Sequence, residues 1–148
     1  MADAATISVT ATMLPDEIAK TISGSMTVTP SDANHKWYYK FTSVSNSSTD
    51  LMAGYFTDYL AIDDDTAPIA ITTSDTVAFL FIQNTDASNL VYLNWNGAAA
   101  AAAGNLYVGA GETWYARLGL TLAGSIHAIS STSTVSCIVC AMMDDVSV

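Results

Sequence analysis

Alternation with a period of two constrains this chain more than any other feature. In "TISVTATM", Ile7, Val9, Ala11 and Met13 share one side, while Thr6, Ser8, Thr10 and Thr12 share the other. "ISGSMTVT" repeats the pattern with Ile22, Gly24, Met26 and Val28 against Ser23, Ser25, Thr27 and Thr29. "HKWYYKFTSV" sets Trp37, Tyr39 and Phe41 opposite Lys36, Tyr38, Lys40 and Thr42. Successive side chains of a strand point to opposite faces, so this is the signature of half-buried antiparallel strands. "TVAFLFIQ", apolar on both sides, reads as a central strand covered on both faces.

Further strands are expected at 51–60, 90–95, 105–108, 113–120, 125–130 and 134–142, separated by turn formers such as "VSNSSTD", "NTDASN" and "VGAGE". The one expected helical feature is a turn at "PDEIAK", where Pro15 suits a first-turn position and Asp16 and Glu17 suit the positive end of the dipole. Many short strands with polar turns predict an all-β chain, an antiparallel β-sandwich of jelly-roll type with little or no helix. The 148 residues fit a single domain over 1–148, with residues 1–13 either its first strand or an N-terminal arm.

Half of the residues are hydrophobic (51%) and only 12% are charged, a balance that predicts an ordered chain. So little charge on so apolar a chain predicts that part of its surface is covered by other subunits. Four cations face fourteen acids, a net charge of −10. Nucleic-acid binding requires a basic footprint that this composition lacks, and anionic membranes are disfavoured for the same reason. No apolar run reaches the ~20 residues of a membrane-spanning helix. "MADAATISVTATMLPDE" has neither a basic region nor an apolar core of a secretory signal, which predicts synthesis in the cytosol.

Chemistry-bearing motifs are sparse. Cys137 and Cys140 form a CxxC, but in a strand positions three apart face opposite ways, and both read as small core hydrophobes. Asp63-Asp64-Asp65 lacks the alternating ligands of a calcium loop and reads as a solvated turn before Pro68. His35 and His127 stand at no metal spacing and beside no nucleophile elbow. The expectation is a binding protein without catalytic residues or cofactor.

Two stretches are expected to make subunit or capsid contacts. The first is the run Ala98, Ala99, Ala100, Ala101, Ala102 and Ala103, too short for an independent helix and bracketed by Asn96-Gly97 and Gly104-Asn105. Small uncharged side chains there suit a compact loop pressed against a subunit or a neighbouring protein. The second is Trp95, between Asn94 and Asn96 at a strand end. It is the one tryptophan expected at the surface, whereas the alternating patterns bury Trp37 and Trp114.

The order "VAFLFIQN", "NLVYLNWNG", a small-residue loop, "VGAGETWYARL", "SIHAISS" and "STVSCIVCAMM" resembles that of small virion proteins of tailed bacteriophages. "LPDEIAKTISGSMTVTPSDANHKWYYKFTSVSNSS" resembles the opening of structural proteins of marine or cyanobacterial phages. The resemblance implies an auxiliary capsid protein of the decoration or cement type. Such a protein forms a homotrimer and binds between major capsid protein subunits on the virion surface. A tail, neck or fibre component is the alternative within that class, and a carbohydrate-binding β-sandwich module is the alternative outside it.

Overall fold

The computed structural model describes residues 4–13, 20–31, 35–58, 69–97 and 106–144. The chain divides into two compact units, residues 1–33 and 34–148.

The first unit is a two-stranded antiparallel ribbon of β1 (Ala5–Met13) and β2 (Lys20–Val28). Its register sets Ala5 opposite Val28, Ile7 opposite Met26, Val9 opposite Gly24 and Ala11 opposite Ile22. The apolar residues of both strands therefore share one side, and the Ser and Thr residues share the other. Val9 and Ile22 on the apolar side are exposed. The expected turn at Pro15 falls in residues 14–19, outside the described residues, but Lys20 already begins β2.

Among its described residues the second unit holds ten strands: β3 (His35–Val44), β4 (Thr49–Asp50), β5 (Gly54–Asp58), β6 (Ile69–Ile71), β7 (Thr76–Asn84), β8 (Val91–Asn94), β9 (Leu106–Val108), β10 (Thr113–Leu122), β11 (His127–Ser130) and β12 (Val135–Asp144). A single turn of 3-10 helix spans Ala123–Ser125. The strands form two antiparallel sheets, β10-β7-β12-β3-β5-β6 and β4-β11-β8-β9. Pairing runs first with last and inward: β3 with β12, β4 with β11, β7 with β10, β8 with β9. A long hairpin of paired strands wrapped into two sheets is the jelly roll, so the expected architecture is the observed one.

One apolar cluster draws side chains from both sheets. Tyr38, Val44, Val77, Leu80, Ile82, Val135, Cys137, Val139, Ala141 and Met143 come from the six-stranded sheet; Val91, Leu93, Val108 and Ala128 come from the other. Fully burying each large aliphatic member contributes ~1.5–3 kcal/mol. In β12 the odd-numbered residues point inward, which puts Cys137 in the core and Cys140 on the outer side. Burial pushes both thiols up to about 11. This disfavours the thiolate form of both at neutral pH.

In β3 the inward side is Tyr38, Lys40, Thr42 and Val44, so the side carrying Trp37, Tyr39 and Phe41 faces outward. Lys40 lies along the core with its Nζ donating to the Ala53 carbonyl at 2.8 Å. Its aliphatic stem is what makes this inward position tolerable.

The "VGAGE" turn is fixed by polar contacts. Gly109 N donates to Glu112 Oε2 at 2.9 Å, Glu112 N donates to Gly109 O at 3.1 Å, and Gly111 takes the left-handed φ of 72° that glycine permits. The buried Asn84 amide reaches three carbonyls around this turn: Asn89 at 2.7 Å, Gly109 at 3.0 Å and Val108 at 3.3 Å.

Candidate functional site

Two surface features stand out, one on each expected line of function. The first is the outer side of the six-stranded sheet. Register places its side chains in rows across β3, β12, β7 and β10. Trp37, Met142 and Phe79 form one row, with Trp37 and Phe79 in edge-to-face contact at 5.7 Å, and all three are buried. The next row, Tyr39, Cys140, Phe81 and Tyr115, is half-buried. Beyond it lie Phe41, Ile138, Gln83 and Thr113, with Phe41 68% and Ile138 36% exposed. Ser43 and Ser136 close the series. Exposure thus rises steadily along one sheet face, up to an aromatic side chain in open solvent in the middle of a strand.

These last three rows carry no charged side chain, on a chain of net charge −10. Arg117 is the charged residue of β10 nearest to them, and it lies level with Phe79 in the buried row. With ~4.8 Å between strands and ~6.8 Å between rows, the uncharged face covers on the order of 300 Å². Scattered single apolar residues on a surface mean little, whereas here Phe41 and Ile138 lie side by side within a contiguous uncharged face. Sequence alternation separates the two sides of β3, but the aromatic side is the outer one. The signal that could have found the site is Lys40-x-Thr42-x-Val44 ending in a buried valine.

The second feature is Trp95. It follows the last residue of β8 and stacks on Trp114 of β10, ring centroids 5.9 Å apart and planes within 12°. Trp114 is in register with the buried Ile82 and packs against the core cluster, so the pair ties one sheet to the other. Trp95 itself is 44% exposed, in line with expectation; Trp37 is buried, and Trp114 is half-buried. Two contacts fix the chain after Trp95. Asn96 N donates to Asn94 Oδ1 at 3.1 Å, and Gly97 N donates to Ser125 O at 3.0 Å, with Gly97 at a φ of 80°.

Of the residues expected at a subunit or capsid contact, Trp95 is thus placed at the surface. Ala98, Ala99, Ala100, Ala101, Ala102 and Ala103 lie outside the described residues, which end at Gly97 and resume at Leu106. Asp63-Asp64-Asp65 lies outside them as well. His35 pairs with Asp144 at one end of β3, and His127 of β11 lies between Asp50 and Asn94, so the two histidines belong to different sheets. Among the described residues no group of three or more His, Cys, Asp or Glu side chains could hold a metal ion. No described helix is long and apolar enough to cross a membrane.

No family model, no curated protein and no solved structure matches this chain.

Proposed function

We propose that this protein is a viral structural protein, a capsid decoration or cement protein that binds between major capsid protein subunits and stabilises a phage head. The observation that carries the reading is the uncharged outer face ending in Phe41 and Ile138. A patch of ~300 Å² is less than half of what one partner contributes to a standard interface of ~800 Å² per side. It suits one contact among several on a lattice better than a self-sufficient dimer.

The ribbon of β1 and β2 supports the same reading. A two-stranded ribbon on its own is marginal in water, and burying the exposed Val9 and Ile22 of its apolar side would add stability. An acidic chain also suits the outside of a shell rather than its nucleic-acid-filled interior. The jelly roll recurs in capsid proteins, although the fold alone assigns no function.

The test is a binding assay on capsid shells assembled without auxiliary protein, together with solution mass by light scattering. Wild-type protein should form a trimer and saturate the shells. Phe41→Glu should abolish saturation while leaving the isolated fold intact. Undiminished binding by Phe41→Glu refutes the face as the contact.

A further inference from the structure

We infer that the Trp95–Trp114 pair is a binding site for a neutral saccharide, with Trp95 as the stacking platform. The site lies apart from the outer-face patch, and the inference stands independently of the capsid reading. Three observations carry it.

The first is exposure with order. Trp95 holds a large aromatic surface in water, 44% exposed, yet one side of its ring is fixed by near-parallel stacking on Trp114. Trp114 is in turn anchored against the core cluster, and the turn after Trp95 is pinned by the Gly97 hydrogen bond to Ser125. A platform that is already rigid loses little conformational entropy on binding. The second is the company it keeps. Trp95 sits between Asn94 and Asn96, with the Gly97–Ser125 contact next to it, so its immediate chain neighbours are amides rather than apolar side chains. A protein interface core is built around clustered apolar groups, whereas a pyranose ring presents C–H bonds on its faces and hydroxyls around its rim. Those C–H groups complement the negative face of an indole, and amides complement the hydroxyls.

The third is charge. The chain segment 88–97 carries no charged residue, and the protein as a whole is at −10. Aromatic platforms also stack nucleobases, but those sites are flanked by cations that track the phosphates. Here the segment carries no cation, and the register partners next to Asn94 are His127 and then Asp50, so an uncharged ring with hydroxyls fits better than a phosphate-bearing base. The ligand class is a neutral hexose or N-acetylhexosamine unit of a surface glycan.

The experiment uses full-length protein and tetrasaccharides of glucose (α- and β-linked), mannose and N-acetylglucosamine. Indole N–H resonances are followed during titration to ~10 mM, the range in which single-platform sugar sites with a Kd of ~1 mM approach saturation. At least one sugar should shift the Trp95 and Trp114 resonances saturably. Trp37, buried on the outer side of the six-stranded sheet, opposite to the inward side that carries Trp114, is the internal control and should not move. Trp95→Ala should weaken binding at least ~10-fold, and Trp95→Tyr, which keeps an aromatic face, should stay within ~3-fold of wild type. Absence of a saturable shift with every sugar overturns the inference, as does unchanged affinity of Trp95→Ala. If Trp95→Ala fails to fold, the wild-type shifts and Trp95→Tyr decide: equal movement of all three indoles, or loss of binding by Trp95→Tyr, overturns it. Phe41→Glu should bind the sugar like wild type, which separates this site from the proposed capsid contact.

Discussion

Replacing Lys40 with Met should stabilise the protein at neutral pH, and the gain should vanish in alkali. Lys40 is buried, inward-facing and in register with the core residue Val139. Burial, partly opposed by the nearby Asp50 carboxylate, lowers its pKa from 10.5 to about 8. That displacement corresponds to ~3 kcal/mol of cost to the charged form, reduced to ~2 kcal/mol once screening by water at the open end of the side chain is allowed for. Between about pH 8 and 10.5 the unfolded chain holds the proton and the folded one releases it, so stability from this group rises with pH across that window. Below about pH 8 both states are charged and the full cost is felt. Met keeps most of the stem's volume without the charge, and the Ala53 carbonyl, on an exposed residue, can turn to water.

Cys137 and Cys140 act in the opposite direction. Their folded-state values near 11 lie above the ordinary 9.0, so their contribution falls as pH rises between the two. Both variants share them, and they cancel in the difference. Urea unfolding followed by tryptophan fluorescence should show Lys40→Met ahead by ~2 kcal/mol near pH 7 and by almost nothing near pH 10. A gap that stays constant across that range, or a Met variant that is less stable at pH 7, refutes the argument.

Three other outcomes follow from single contacts. Asn84→Leu leaves the Asn89, Val108 and Gly109 carbonyls without their shared donor and should cost ~2–4 kcal/mol in urea unfolding. In Gly109→Ala the added Cβ would stand 2.5 Å from Glu112 Oε2 and push that carboxylate off the Gly109 amide. The loss should be ~1–2 kcal/mol, and smaller when Glu112 is already Ala, a non-additivity that a double-mutant cycle reads directly. Phe41→Ser removes an exposed ring and should change monomer stability by no more than ~0.5 kcal/mol while weakening assembly, which light scattering reports.

Strand signatures make most of the fold legible, because β1, β2, β3 and β10 are nine or ten residues long and show several full alternations, and β7 and β12, equally long, stand out as runs rich in apolar residues. β4 and β6, two and three residues long, are too short to display any period, and neither is expected from the sequence. The strand expected over 51–60 begins at Gly54, because Leu51 and Met52 are buried in a turn that the Asp50 carboxylate caps at the Met52 and Ala53 amides. A buried turn and a buried strand look alike in composition. The side of β3 misleads for a related reason. Lys40 and Tyr38 are amphipathic and can face a core by their apolar stems, so hydrophobicity alone does not choose between the two faces. Trp95 is legible because asparagines on both sides of a tryptophan place it at a strand end.

The pairing scheme has a consequence for the proposed contact. Phe41 and Ile138 lie far apart in sequence and become neighbours when β3 pairs with β12, the pair that joins the first and last strands of the jelly-roll wrap. Pairing at such sequence separation closes the longest loop, the entropic cost that slows the folding of non-local topologies. The uncharged outer face is therefore complete only on a chain whose wrap is closed. A partly folded chain would expose its core but would lack the four-strand surface that we propose recognises a partner. Loosening the β3–β12 ladder, for example with Val139→Gly in the core row, should then reduce assembly in proportion to the population that has lost this pairing. Hydrogen exchange of the β12 amides and lattice binding, measured on the same samples, should fall together. Binding that survives after β12 protection is lost would separate the contact from the closed sheet and place it elsewhere on the chain.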